Sequence, residues 1–256
     1  MILFGSQAAK NYFPDFRETH DLDWLVKEDN KQAELIDEIR NEYYHIPPFD
    51  YLLDQPKGIL SPEQLYTLKV SHSFWDIKWE KTMFDINFFQ EKNLKLDENL
   101  FNELYSFWEI KHKEKRVNLN QSNEKFFNSY VKRKYIHDDI HKEMSYYDEP
   151  MFNKLKKDKS KAWINKEMFF NLSKEDQIKT CREEIYVTAL ERCLIPSDFK
   201  IHTLSGYSKA CKLLITSMTK GWFPKFIVEN WKELRKPDID YKQKFLNSKL
   251  YLDGKE

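Results

Sequence analysis

The stretch from Ile2 to Val26, ILFGSQAAKNYFPDFRETHDLDWLV, decides the fold of this chain. The short apolar run Ile2–Phe4 ends at Gly5-Ser6, which is typical of a buried strand that enters a tight turn. Residues 7–12 favour a short helix that the next proline ends. Asp21–Val26 alternates polar and apolar residues and then becomes apolar, so it predicts a second strand.

The segment that follows predicts one more helix and one more strand. Residues 28–42 carry apolar side chains at a helical spacing: Ala33, Leu35, Ile36 and Ile39. Pro47-Pro48 marks the start of a third strand at Phe49–Leu53, because proline is tolerated at the first residue of a strand. The first part of the chain is therefore expected to be a small α/β unit.

From Ser61 onward the pattern is helical. Ser61, Pro62 and Gln64 have the spacing of a capped helix start, with further helices predicted over 123–146 and 176–195. We therefore expect an α+β fold, in which an α/β head with a short mixed sheet and flanking helices precedes a larger all-helical body. The expected boundary lies between domains 1–57 and 58–256.

Composition limits the class of protein. The 256 residues include 42 basic and 42 acidic side chains, so there is no chain-wide basic field for nucleic acid. No apolar run is long enough for a membrane span, and the N-terminus does not read as a secretory signal. Cys181, Cys193 and Cys211 are too scattered for a disulfide framework. We expect a soluble, cytoplasmic protein without a membrane partner.

The sharpest chemical signal is a set of carboxylates near a glycine turn. Asp21 and Asp23 are separated by one residue on a predicted strand, so their side chains point to the same face. Asp50, on the third predicted strand, can complete an oxygen-rich site for Mg²⁺. Gly5-Ser6 offers backbone N–H groups and a hydroxyl where a phosphate can sit.

These motifs resemble the minimal nucleotidyltransferases of the polymerase-beta superfamily. The matching segments are Phe4–Ser6, Asp21–Val26 and Phe49–Leu52. The resemblance implies that Asp21, Asp23 and Asp50 hold Mg²⁺, with Mn²⁺ as an alternative. It also implies that Asp50 activates the acceptor oxygen and that Gly5-Ser6 holds phosphate. The head at 1–57 would then be the nucleotidyltransferase core.

A second stretch resembles the helical region of abortive-infection and toxin-type nucleotidyltransferases. It comprises Leu65–His72 and Glu80–Ile86. By this resemblance Lys69 and Lys81 contact the nucleoside triphosphate (NTP), and Asp85 orients a basic partner. Residues 58–92 would complete the nucleotide site, and 93–256 would select the acceptor or partner.

The resemblance implies a Mg²⁺-dependent transfer of a nucleoside monophosphate from an NTP to an acceptor hydroxyl, with release of pyrophosphate. RNA, including tRNA, is the first expectation for the acceptor, with a protein or a small molecule as alternatives. The composition and the resemblance together suggest a phage or bacterial-defence origin. The preferred base, the acceptor and the oligomeric state stay open.

A histidine cluster supports a second hypothesis. His137 and His141 are four residues apart, on one face of a predicted helix, where two imidazoles can share a metal. Together with Asp138 and His72 they resemble part of a His/Asp metal-dependent phosphohydrolase site. A third hypothesis is a non-catalytic binding module on a nucleotidyltransferase fold.

Three basic stretches raise the question of a local RNA-binding patch. They lie at 111–116, 132–134 and 154–161, and Tyr130 and Tyr135 flank the second one as candidate stacking surfaces. A charged, solvated surface is the alternative interpretation of the same residues.

Overall fold

The structure of this chain is a computed structural model. It describes residues 1–27, 34–36, 39–46, 49–75, 77–117, 145–147, 149, 151–155, 164–192, 204–217, 221–236, 238, 243 and 246–247. The fold is α+β, with a small sheet at the N-terminus and helices over most of the remaining described residues. None of the helices in these ranges combines the length and apolar character that crossing a bilayer requires.

Within the described ranges the sheet contains four strands in the order β1-β2-β4-β3. The strands are β1 (Ile2–Phe4), β2 (Asp21–Leu25), β3 (Glu34–Ile36) and β4 (Ile39–Tyr44). Strand β2 pairs with β1 in the antiparallel direction and with β4 in the parallel direction, while β3 pairs antiparallel to β4. Strand β2 therefore lies between β4 and β1, and β1 ends at the glycine turn.

Most of the other regular elements in the described residues are helices. They are α1 (Gly5–Tyr12), α2 (Pro62–Phe74), α3 (Trp79–Glu91), α4 (Glu98–Val117), α5 (Met151–Lys154), α6 (Lys166–Phe170), α7 (Lys174–Arg192), α8 (Leu204–Ser217), α9 (Trp222–Glu229) and α10 (Trp231–Leu234). A 3₁₀ helix at Phe49–Asp54 precedes α2. Helix α7 confirms most of the predicted helix at 176–195. The prediction at 123–146 lies, except for its last residues, outside the described residues.

The predicted helix over 28–42 is wrong in the part that the structure describes. Glu34–Ile36 and Ile39–Tyr44 form an antiparallel pair of strands in which Ile36 lies opposite Ile39. A pair of apolar residues three apart suits a helix, but it suits a tight strand pair equally well. The segment forms strands rather than a helix because β4 also pairs along its length with β2.

The predicted third strand at Phe49–Leu53 is also wrong. This segment is the 3₁₀ helix Phe49–Asp54, in which Phe49 and Leu52 are buried and Asp50 is exposed. The Phe49 ring packs edge-on against Phe107, with centroids 6.1 Å apart. Burial of Phe49 and Leu52 on one side of a short helix therefore replaces the pairing expected of a strand.

The chain divides into two compact units. The first unit comprises Met1–Ser73 and Ile77–Phe107, and the second comprises Phe74–Asp76 and Trp108–Glu256. The first unit therefore contains α2 as far as Ser73, all of α3 and the part of α4 up to Phe107. The division of function at residue 57 stays a prediction. The core of the first unit contains closely packed rings, among them Phe16 stacked on Phe89 at 5.5 Å.

The second unit has its own buried core. Helices α7 and α8 contribute Tyr186 and Tyr207, whose ring centroids lie 5.6 Å apart. Cys181 and Cys211 are free thiols in the same interior, and burial raises the pKa of both well above the ordinary value. These thiols are therefore protonated and serve as small apolar side chains.

The start of α2 generates a stability prediction. The Gln64 N–H donates to Ser61 Oγ at 3.2 Å, and the Ser61 N–H donates to Gln64 Oε1 at 3.0 Å, which confirms the predicted capping box. Ser61→Ala removes one acceptor and should lower the free energy of unfolding by about 1 kcal/mol in urea denaturation. Ser61→Thr keeps the hydroxyl acceptor and should retain most of that stability. Equal losses in the two variants would contradict a capping role.

Candidate functional site

A cavity of about 280 Å³ lies within the first unit. Its lining combines the sheet, the glycine turn, α2 and the beginning of α3. The residues that line it are Phe4, Gly5, Ser6, Phe16, Asp21, Asp23, Glu42, Tyr44, Ile46, Leu65, Leu68, Lys69, His72, Ile77, Lys78, Lys81, Thr82 and Phe89. Acidic side chains come from the sheet and basic ones from the helical side.

The acidic side of the cavity follows from strand register. Asp21 and Asp23 alternate along β2, so both point to one face of the sheet. Asp23 lies opposite Glu42 of the parallel neighbour β4. The three residues line the same cavity. We call Asp21, Asp23 and Glu42 the acid cluster.

The structure does not place Asp50, the predicted third carboxylate, among the residues that line this cavity. Asp50 lies in the 3₁₀ helix with 55% of its side chain exposed, and its Oδ1 is 3.3 Å from Nε2 of His45. Glu42 occupies the place assigned to Asp50, on the strand beside β2. The one sequence signal for Glu42 was Tyr43-Tyr44, since aromatic residues favour strands.

Gly5 forms the predicted turn from strand to helix and approaches Asp23 closely. Its φ of +70° is a left-handed conformation that glycine adopts without strain. A Cβ built on Gly5 would lie 2.0 Å from Asp23 Oδ2. Gly5 therefore provides the space that the Asp23 carboxylate occupies. Ser6, buried in the first turn of α1, lines the same cavity.

The two aspartates of β2 have opposite pKa shifts. Burial, together with the negative charges of Asp21 and Glu42, raises the pKa of Asp23 to about 6. The pKa of Asp21 is lowered, because the Thr19 hydroxyl donates to its Oδ1 at 2.7 Å. Asp23 therefore sits where negative charge is crowded, and a cation would relieve that crowding.

Neighbouring side chains hold the Glu42 carboxylate. Arg40 Nε lies 2.9 Å from Glu42 Oε1, and the Tyr44 hydroxyl donates to Oε2. Desolvation of Tyr44 and its bond to Glu42 raise the pKa of the phenol. Tyr44 therefore stays a neutral donor that orients Glu42 at the edge of the cavity.

Three lysines form the basic side of the cavity. Lys69 comes from α2, Lys78 precedes α3, and Lys81 lies in the first turn of α3. Burial, followed by the charge of Arg17, lowers the pKa of Lys81. Lys78 has a φ of 43°, a left-handed conformation that is uncommon outside glycine and often occurs at functional sites.

Asp85 of α3 is fully buried and pairs with Lys69. Its Oδ2 is 3.1 Å from Lys69 Nζ, and Arg17 Nε donates to its Oδ1 at 2.7 Å. Arg17 Nη2 donates both to Asp85 Oδ2 at 3.0 Å and to Ser6 Oγ. The sequence analysis missed Arg17, because nothing in a local pattern relates it to a carboxylate 68 residues away.

The histidine hypothesis receives no geometric support from the described residues. His72 lines the acid-cluster cavity beside Lys69, and burial lowers its pKa to about 3, so the ring is neutral. His137, Asp138 and His141 lie outside the described residues. The basic stretches at 132–134 and 154–161 lie there too, except for Lys154 and Leu155, and so do all side chains of 111–116 except that of Lys111.

The acid cluster fits Mg²⁺ in its chemistry, because the ion prefers carboxylate oxygens. Burial first, and then the charges of Asp21 and Glu42, raise the pKa of Asp23, so a positive charge among these carboxylates would be favourable. Within the described ranges, however, no three His, Cys, Asp or Glu side chains are already grouped around one metal position. Thr19 and Arg40 instead engage Asp21 and Glu42, and these side chains would have to exchange partners for an ion.

Comparison with known proteins identifies the family. Residues 64–247 match the family model of DUF7275, a domain of unknown function, and the chain belongs to this family. The matched segment contains Lys69, Lys81 and Asp85, whereas the glycine turn and the acid cluster precede it. No curated protein and no solved structure matches the chain.

Gly5 and Gly58 both have a positive φ, so they allow a matched test of the close approach between Gly5 and the Asp23 carboxylate. Gly58 has a φ of +65°, but nothing lies within 4 Å of the position of its Cβ. Gly58→Ala should cost about 1 kcal/mol of unfolding free energy through backbone strain, and Gly5→Ala about 2–4 kcal/mol because it also displaces Asp23. Denaturant unfolding measures both. Equal losses of unfolding free energy in the two variants would show that the position of the Asp23 carboxylate does not require a glycine at residue 5.

The pKa of Asp23 predicts the pH dependence of stability. Because the folded-state pKa is raised from 3.8 to about 6, the stability linked to Asp23 is present below pH 4 and is lost as pH rises to 6. Allowing for partial exposure, Asp23→Asn should stabilise the metal-free protein by about 1–2 kcal/mol at pH 7.5 and hardly at all at pH 4. Denaturation at several pH values in EDTA measures this difference.

The matched control for Asp23→Asn is Asp50→Asn, which removes a carboxylate outside the cavity. Asp50→Asn should show no comparable stabilisation at pH 7.5. A destabilised Asp23→Asn variant at that pH would contradict the crowding of charge in the acid cluster.

Proposed function

We propose that this protein is a Mg²⁺-dependent nucleotidyltransferase. It transfers a nucleoside monophosphate from an NTP to an acceptor hydroxyl and releases pyrophosphate. The observation that carries the proposal is one cavity with an acid cluster on its sheet side and Lys69, Lys78 and Lys81 on its helical side. Carboxylates suit a divalent cation, and lysines suit the phosphates that the cation accompanies.

The glycine turn adds a second argument. The first turn of α1 presents backbone N–H groups and the Ser6 hydroxyl at the same cavity. Helix N-termini favour anions, because their first N–H groups have no partner within the helix. Phosphate oxygens would thus find donors at the turn and at the lysines. The aromatic and aliphatic lining, including Phe16, Ile46 and Leu68, suits a nucleoside.

Each residue then has a defined task in the transfer. Asp21, Asp23 and Glu42 would hold Mg²⁺, which when bound neutralises charge on the phosphates and the leaving pyrophosphate. Lys69 and Lys81 position the triphosphate, as the sequence resemblance implies. Glu42 replaces Asp50 as the carboxylate that takes the proton of the acceptor hydroxyl. The acceptor oxygen bonds to the α-phosphorus, and the bond to the pyrophosphate oxygen breaks.

The acceptor follows from the resemblance alone. RNA, including tRNA, is the first class to test, and a protein or small-molecule hydroxyl comes next. The sites that would select the acceptor belong to the later part of the chain, much of which lies outside the described residues.

A non-catalytic binding module is the second candidate. Among the described residues, no three His, Cys, Asp or Glu side chains are grouped around one metal position, which favours a binding module. The exposed position of Asp50 favours it as well. Such a module would bind an NTP without transferring any part of it. Transfer and binding must therefore be measured separately.

The decisive experiment incubates the protein with Mg²⁺, each α-labelled NTP in turn, and total RNA or protein extract. We expect label on a discrete acceptor. The double variant Asp21→Asn/Asp23→Asn and the single variant Glu42→Gln should each lower the transfer rate at least about 100-fold, because each removes charge that a phosphoryl transfer requires.

Asp50→Asn is the control and should transfer label within about twofold of the wild-type rate. Loss of activity in Asp50→Asn with activity retained in Glu42→Gln would reverse the assignment of the third carboxylate. NTP binding without transfer from any NTP would favour the binding module.

A further inference from the structure

The Arg17 side chain has nearly all of its donors committed within the first unit. Its Nε and Nη2 donate hydrogen bonds to the two carboxylate oxygens of buried Asp85, and Nη2 also donates to Ser6 Oγ. Its Nη1 donates to the Glu18 carbonyl at 3.3 Å. Arg17 is not among the residues that line the cavity, whereas Ser6 is. Arg17 therefore contacts the cavity through Ser6.

This contact sets the direction in which the Ser6 hydroxyl can bond. A hydroxyl has one hydrogen to donate and two lone pairs that accept. The guanidinium of Arg17 cannot accept a hydrogen bond, so it always takes a lone pair of Ser6 Oγ. The hydroxyl hydrogen is consequently left to donate elsewhere, and Ser6 borders the cavity.

Asp85 fixes the guanidinium that makes this contact. A bidentate arginine–carboxylate pair has a defined plane and direction, which a lysine at the same position could not reproduce. Asp85 is fully buried in α3 and also pairs with Lys69 of α2. Through its pair with Arg17, it connects both helices to the loop that contains Arg17. The orientation of Ser6 therefore depends on a carboxylate in the interior.

We propose that Arg17, held by Asp85, is a positioning residue that makes Ser6 a dedicated hydrogen-bond donor to a phosphate oxygen of the triphosphate. This inference rests on the proposed function for its ligand class. It adds Arg17 to the phosphate side of the site, as a basic partner of Asp85, and gives Ser6 a defined bonding direction. Arg17 acts through Ser6 and does not itself touch the ligand.

A double-mutant cycle tests this dependence, with inorganic tripolyphosphate and Mg²⁺ as the probe. Ser6→Ala removes the donor, and Arg17→Lys keeps the charge but cannot both grip Asp85 and reach Ser6. Each variant should raise the tripolyphosphate Kd about tenfold, the size of one hydrogen bond to a charged group. Because both changes remove the same bond, the double variant should stay near tenfold rather than reach about 100-fold.

Asp15→Asn is the matched control, because it breaks an exposed ion pair with Lys92 in the loop that also carries Arg17. It should bind tripolyphosphate as the wild type does. Thermal unfolding of every variant separates lost folding from lost binding. Ser6→Ala leaves the Arg17–Asp85 pair intact, so it provides the test even if Arg17→Lys does not fold.

The outcomes separate this inference from the proposed function. Multiplicative losses near 100-fold in the double variant would mean that Arg17 binds phosphate directly, and they would overturn the inference. Unchanged affinity in Ser6→Ala, or no tripolyphosphate binding by the wild type, would also overturn it. Coupled losses of binding in a protein that transfers no nucleotide would support the inference and contradict the proposed function.

Discussion

The buried carboxylate of Asp85 connects the parts of the first unit that form the cavity. It accepts hydrogen bonds from Arg17 and lies 3.1 Å from Lys69, while Arg17 reaches on to Ser6 at the glycine turn. The loop before β2, the first turn of α1, α2 and α3 are thus joined through the Arg17–Asp85 pair. Removing one partner of such a buried pair costs about 3–5 kcal/mol, so this network resists rearrangement.

On the sheet side of the cavity, the negatively charged side chains of the acid cluster lie close together. Parallel pairing of β2 with β4 places Glu42 beside Asp23, and the glycine turn leaves room for the Asp23 carboxylate. Burial, together with the charges of Asp21 and Glu42, raises the pKa of Asp23 to about 6, so ionised Asp23 lowers the stability of the folded protein at neutral pH. A cluster of carboxylates that lowers stability is typical of a binding or catalytic site, where function opposes stability.

Local features of the first unit were readable from the sequence. The glycine turn, the strand that carries Asp21 and Asp23, and the capping box at Ser61 each depend on residues close together in the chain. The segments between them form elements that the local pattern does not predict. Residues 34–44 had a spacing compatible with a helix or a strand, and only the pairing of β4 with β2 distinguishes the two. The two prolines before Asp50 fit the start of a strand, but Phe49–Asp54 forms a 3₁₀ helix.

The sequence by itself determined which chemical groups are available: two carboxylates on one face of a strand, a glycine that permits a close approach, and lysines on later helices. Tertiary structure alone decided which of them meet. Glu42 joins Asp23 through strand register, and Arg17 joins Asp85 across 68 residues. The physical reason is that hydrogen-bonded caps and turns are local, whereas strand pairing and buried ion pairs bring together residues that no local pattern relates.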